Sequence, residues 1–135
     1  MQEGCVLCPR KCGVDRNIQR GACNAPYFPY VAKAALHMWE EPCISGKRGS
    51  GAIFFCGCNL KCVFCQNYDI SNGSVGKMYD AEGIAELMLR LQGKGAHNVN
   101  LVSPAPFVPV LADAIRAAKN RGLSIPVVYN TNSYE

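Results

Sequence analysis

Between Ala52 and Tyr129 the apolar and polar positions alternate with the periods of regular secondary structure. Ala52-Ile53-Phe54-Phe55 is a short apolar run suited to a strand buried on both faces, as in a parallel sheet. Asp80 stands where a helix cap is needed, and Ile84, Leu87, Met88 and Leu91 recur at helical spacing. This predicts a helix over residues 81–93, with Gly93 and Gly95 able to end it. Val99 to Val102 reads as the next strand. Val110, Leu111, Ala114, Ile115 and Ala118 then form the apolar stripe of a second helix over residues 106–120, stopped by Gly122. Ile125 to Tyr129 makes a third strand. The order β-α-β-α-β predicts an α/β fold with parallel strands and right-handed crossovers, in which ligands collect at the carboxyl ends of the strands.

The chain before residue 46 has a different character. Cys, Gly and Pro are frequent and no helical period is sustained. Tyr30 to Trp39 fits a short strand or a helix equally well. Ser45-Gly46-Lys47-Arg48-Gly49-Ser50-Gly51 reads as a turn or linker. Two parts follow from this contrast: an irregular Cys-rich N-terminal extension over 1–45 and an α/β unit over 46–135.

Composition narrows the function classes. The 135 residues are 49% hydrophobic and 18% charged, with a net charge of +4 spread along the chain rather than gathered in a block. Neither a nucleic-acid surface nor a membrane partner is predicted, since Pro and Gly break every apolar stretch. The opening Met1-Gln2-Glu3-Gly4-Cys5 lacks the basic and apolar regions of a signal peptide, so a cytoplasmic location is expected.

Nine cysteines in such a chain read as metal ligands before they read as disulfides. Seven form two compact groups: Cys5, Cys8, Cys12 and Cys23, then Cys58, Cys62 and Cys65. The second group has the spacing C-x3-C-x2-C and follows the first predicted strand. Three thiolates so spaced can wrap three corners of a cubane iron–sulfur cluster. Three ligands, rather than four, leave a position open for chemistry.

With an aromatic residue before the last Cys, this segment resembles the radical S-adenosylmethionine (SAM) superfamily. Glu40-Glu41-Pro42-Cys43-Ile44-Ser45-Gly46, Gly49-Ser50-Gly51-Ala52-Ile53-Phe54-Phe55, Gly57-Cys58-Asn59-Leu60 and Cys65-Gln66-Asn67-Tyr68 extend the likeness. They resemble uncharacterised relatives of the pyruvate formate-lyase activating enzymes. The resemblance implies that Cys58, Cys62 and Cys65 hold a [4Fe-4S] cluster whose fourth iron is chelated by SAM. Reduction of SAM would release methionine and a 5′-deoxyadenosyl radical for hydrogen abstraction, either from a small molecule or to activate a partner protein. An electron donor such as a flavodoxin or ferredoxin is implied, and Phe64 would lie near the adenine. The hard chemistry is the cofactor's, so no side chain is assigned a catalytic role.

Two departures from the family pattern stand out. Where relatives carry Gly-Gly-Glu, this chain has Ser103-Pro104-Ala105-Pro106, which leaves the Ser103 hydroxyl or a local carbonyl to meet the SAM amino group. Where the activating enzymes show Asp-Thr-Asn-Gly, it has Asn130-Thr131-Asn132-Ser133, which removes an acid and the glycine of a turn. Ser103, Asn130 and Thr131 are the further SAM contacts expected. The family barrel has six strand–helix units, and three strands and two helices precede Glu135. The chain is therefore expected to be the first part of a (β/α) barrel, C-terminally truncated and poorly active alone.

The other candidates have two readings each. Cys5, Cys8, Cys12 and Cys23 suit a second iron–sulfur cluster or a zinc ion, or else are reduced thiols in a loop-rich cap. Cys56 is a fourth ligand or a small buried residue, and Cys43 a packed or free thiol. His37 with Glu40 and Glu41 lines a site mouth or is ordinary surface, and Lys47 and Arg48 meet an anion or a solvated turn. His97 reads as a loop residue. Two functions from other classes compete with the enzyme: a non-catalytic iron–sulfur electron carrier and a zinc-bound interaction module.

Overall fold

The computed structural model describes residues 4–73 and 75–135. Met1, Gln2 and Glu3, where a leader was sought in the sequence, lie outside the described residues. A five-stranded sheet runs in the order β3-β1-β2-β4-β5. Its strands are β1 (Tyr30–His37), β2 (Ser50–Phe55), β3 (Lys77–Met78), β4 (Val99–Val102) and β5 (Val127–Asn130). The helices are α1 (Pro42–Ser45), α2 (Tyr68–Asn72), α3 (Ala81–Gly93) and α4 (Val108–Asn120), with a 3-10 turn over Ala105–Phe107.

As the periodicity predicts, β2, β4 and β5 are parallel, with Ile53 opposite Leu101 and Leu101 opposite Tyr129. The other side of the sheet is antiparallel: Tyr30–His37 is a strand, and it pairs with β2 and β3. The N-terminal segment is therefore irregular only up to Pro29. The pattern hid this strand because it is only half-buried and its small alanines serve helix and strand equally.

Ile53 and Phe55 of β2 and Val99 and Leu101 of β4 pack beneath Ile84, Met88 and Leu91 of α3 and Leu111, Ala114 and Ala118 of α4. Burying each large apolar side chain here contributes about 1.5–3 kcal/mol. Phe55 meets Phe107 at 5.7 Å between ring centroids, which ties β2 to the 3-10 turn. The Asp80 side chain caps α3 by accepting from the Gly83 amide at 2.8 Å. The last strand starts two residues later than its apolar run. Ser124 and Ile125 donate their amides to Gln92 Oε1 instead, and Pro126 has no amide to give. No helix is long and apolar enough to cross a membrane among the described residues.

Candidate functional site

All three parallel strands end on one cavity. Its volume is about 440 Å³, and Cys58, Cys62 and Cys65 line it together with Phe64, Ser103, Asn130, Thr131 and Asn132. The cysteines come from the loop after β2, Ser103 from the end of β4, and the Asn-Thr-Asn segment from the end of β5. Parallel strands put all their carboxyl ends on one edge, which is why residues far apart in sequence meet here. Cys58, Cys62 and Cys65 and the four residues expected to contact SAM (Phe64, Ser103, Asn130 and Thr131) all line this one space.

Three local devices shape the loops. Lys61, between Cys58 and Cys62, has φ 57°, and the Cys65 amide donates to the Cys62 carbonyl at 3.2 Å, so the backbone turns twice between the three cysteines. Ser103 has φ 60°, a left-handed conformation that a residue other than glycine adopts at a cost. Ser133 takes φ 61°, in the left-handed region that favours glycine. The turn survives because the Ser133 amide donates to Thr131 Oγ1 at 2.8 Å and the Tyr134 amide to Asn132 Oδ1 at 3.0 Å. The side chains of Thr131 and Tyr129 also hydrogen-bond to Glu135.

The periodicity and spacing did not single out Asn132 and Asn59. Asn132 Nδ2 donates to Asn59 Oδ1 at 2.8 Å and approaches Cys58 Sγ at 3.5 Å. Asn59, 2% exposed, donates in turn to the Tyr134 carbonyl. A hydrogen-bonded clamp thus joins the β2 loop to the β5 loop beside the cavity. Phe64 sits at the rim, 85% exposed.

The first cysteine group lies beside this loop. Cys5, Cys8, Cys12 and Cys23 all line a second, smaller cavity with Arg10, Arg16 and Asn59. Burial pushes the Cys12 thiol up, but backbone groups of Ala22 and Val14 and the Cys5 side chain outweigh it and hold it below the usual range. Burial raises the Cys23 thiol, against the pull of the Ala25 backbone and the Arg16 charge. The Cys58 amide donates to the Cys23 carbonyl at 3.1 Å, so the two groups are joined through backbone.

The remaining candidates stand elsewhere. Cys56 is buried, and its thiol donates to the Val75 carbonyl at 2.8 Å, the setting of a core residue. Cys43 is exposed. His37 lies 3.9 Å from Glu40, and neither lines the cavity of Cys58. Arg48 donates to the Gly95 carbonyl at 2.9 Å and meets the His97 ring, so both close the corner between α3 and β4.

Among the described residues, no three His, Cys, Asp or Glu side chains converge closely enough to ligate a single ion. A cubane makes a looser demand, because its thiolates bind separate irons on separate corners. The second group meets that demand in kind: three half-buried thiols, no carboxylate competing for the irons, and polar side chains facing them across the cavity.

Comparison with known proteins gives an independent line. Over 139 aligned residues the chain is 34% identical to the uncharacterised protein MJ0674 of Methanocaldococcus jannaschii, an alignment covering 98% of this chain and 39% of that relative. The chain thus spans about two fifths of the relative's length. No solved structure matches it. A family model described as the radical SAM superfamily matches residues 52–135, from the core of β2 through the loops that line the larger cavity. That stretch is more than half of the sequence, and the chain belongs to the radical SAM superfamily.

Proposed function

We propose that Cys58, Cys62 and Cys65 hold a [4Fe-4S] cluster at which SAM is reductively cleaved for hydrogen abstraction. One observation carries this reading: the three thiols share a cavity at the carboxyl ends of three parallel strands, inside the segment that matches the family. When bound, the cluster would supply the electron that splits SAM into methionine and a 5′-deoxyadenosyl radical.

The chain's own residues hold and position. The turn at Lys61 presents the three thiols, and the Asn59–Asn132 clamp fixes Cys58 against the β5 loop. Phe64 at the rim offers an aromatic face for adenine. Ser103, Asn130 and Thr131 offer hydroxyl and amide groups to the amino-acid end of SAM. Their neutrality makes this a weaker grip than a carboxylate would give. The sheet reads as the opening strands of a (β/α) barrel. An external electron donor of the flavodoxin or ferredoxin kind, and a substrate that is a small molecule or a partner protein, complete the proposal.

The test is SAM cleavage by anaerobically reconstituted protein under dithionite. Release of 5′-deoxyadenosine is expected from the unsubstituted chain and not from Cys62→Ala. Iron incorporation without any SAM cleavage would favour an electron carrier.

A further inference from the structure

We propose that Cys5, Cys8, Cys12 and Cys23 close around one thiophilic divalent ion, zinc or ferrous iron, in a tetrathiolate site that braces the loop carrying Cys58. The four side chains come from two separated stretches of sequence yet face a single cavity of about 20 Å³. That narrow, sulfur-lined space suits a single ion. Two of the sulfurs flank one point: a Cβ on Gly21 would stand 3.0 Å from Cys12 Sγ and 3.7 Å from Cys23 Sγ.

Charge supplies the second argument. Arg10 and Arg16 line the same cavity, and among the described residues no carboxylate lies within salt-bridge distance of either. Arg16 is only 7% exposed. Its guanidinium donates to the carbonyls of Ala25, Pro26 and Pro106 and lies over the Phe107 ring. A buried cation satisfied only by neutral groups is costly. Four thiolates about a divalent ion carry a net charge of −2, which two guanidinium groups offset. Binding releases four thiol protons to solvent and forms four metal–sulfur bonds, with no change of oxidation state.

Folding logic is the third. Among residues 4–29 there is no helix or strand, and Ala25 is their one member among the buried core hydrophobics. The backbone is nevertheless folded back tightly, with Cys5 donating to the Val14 carbonyl at 2.9 Å and Gly13 to the Cys5 carbonyl at 3.0 Å. A segment with so little core needs another source of stability, and a closed metal site contributes folding energy directly. No three of the four sulfurs stand at ligand spacing, so binding must draw in the exposed Cys12 and at least one of its partners. The brace runs from the Cys23 carbonyl to the Cys58 amide and from Arg10 Nε to the Asn59 carbonyl at 2.6 Å.

The test uses the chain with Cys58, Cys62 and Cys65 all changed to Ala, so that its outcome is separate from that of SAM cleavage. Titrated anaerobically with Co²⁺, this variant should bind one equivalent with the thiolate charge-transfer and tetrahedral absorption bands of a four-sulfur site. One equivalent of Zn²⁺ should displace it. Adding Cys12→Ser or Cys23→Ser should abolish the four-sulfur spectrum, and Arg10→Gln should weaken affinity by about tenfold. X-ray absorption of the metal in the unsubstituted chain asks the same question without relying on a variant that folds. A first shell of four sulfurs at an isolated zinc or iron supports the site. Absence of stoichiometric cobalt, bands that survive both serine changes, an Arg10→Gln affinity equal to the parent's, or a second cubane at these residues would overturn it.

Discussion

Gly57 lies between the two cysteine groups, with φ 92°, and a Cβ on it would stand 2.9 Å from the Cys23 carbonyl oxygen. That oxygen accepts the Cys58 amide, so no side chain fits at residue 57 without pushing the β2 loop off its support. Gly57→Ala should cost about 1–3 kcal/mol in thermal or denaturant unfolding and lower the yield of reconstituted cluster. An unchanged melting temperature would show that the contact is not needed. Asn132 acts at the same scale. A hydrogen bond to a cluster sulfur favours the reduced, more negative state. Replacing Asn132 with Ala removes the donor to Cys58 Sγ and should lower the cluster potential by up to about 60 mV, the one-electron equivalent of a tenfold change in the equilibrium constant. A redox titration followed by electron paramagnetic resonance reads this, and an unmoved potential would remove Asn132 from the account. The three cysteines proposed for the cluster are legible in the sequence because their C-x3-C-x2-C spacing is local. Asn59 and Asn132 are not, because their partnership spans 73 residues and exists only once β2 and β5 lie in one sheet.

Element by element, the sequence was most readable where burial was one-sided and capping chemistry explicit. The α3 helix runs over the residues its periodicity predicts, and Asp80 caps it. Asp80→Ala should therefore cost about 1 kcal/mol in a stability measurement, and a null result would mean the cap is compensated elsewhere. Leu111→Ala, in the buried face of α4, should cost more, about 2–5 kcal/mol, because a cavity opens against α3 and the sheet. The elements that escaped were short or half-exposed. Four- and five-residue helices such as α1 and α2 are too brief to show a period. For β1 the missing information was tertiary: its alanines become strand only by pairing with Ala52 and Ile53. The onset of β5 was displaced by Gln92, a side chain on another element that captures the Ser124 and Ile125 amides.

Taken whole, the molecule's topology explains why both cysteine groups sit at one end. Strand β1 is antiparallel to β2, with Val31 opposite Phe55, so the chain enters the sheet at the edge where β2 leaves it. The N-terminal thiols are thus delivered beside the loop of Cys58, and the ends of β4 and β5 complete the larger cavity. The chain covers 39% of the relative from Methanocaldococcus jannaschii. What these residues do offer is a cavity lined by three thiols, and the proposed reading is that a cluster held there keeps one coordination position for SAM. Electron paramagnetic resonance of the reconstituted, dithionite-reduced chain, recorded with and without SAM, tests this most directly. The account predicts a [4Fe-4S] signal that changes on adding SAM and disappears when Cys58, Cys62 and Cys65 are changed to Ala. A cluster signal indifferent to SAM, or one that survives loss of those three cysteines, would contradict it.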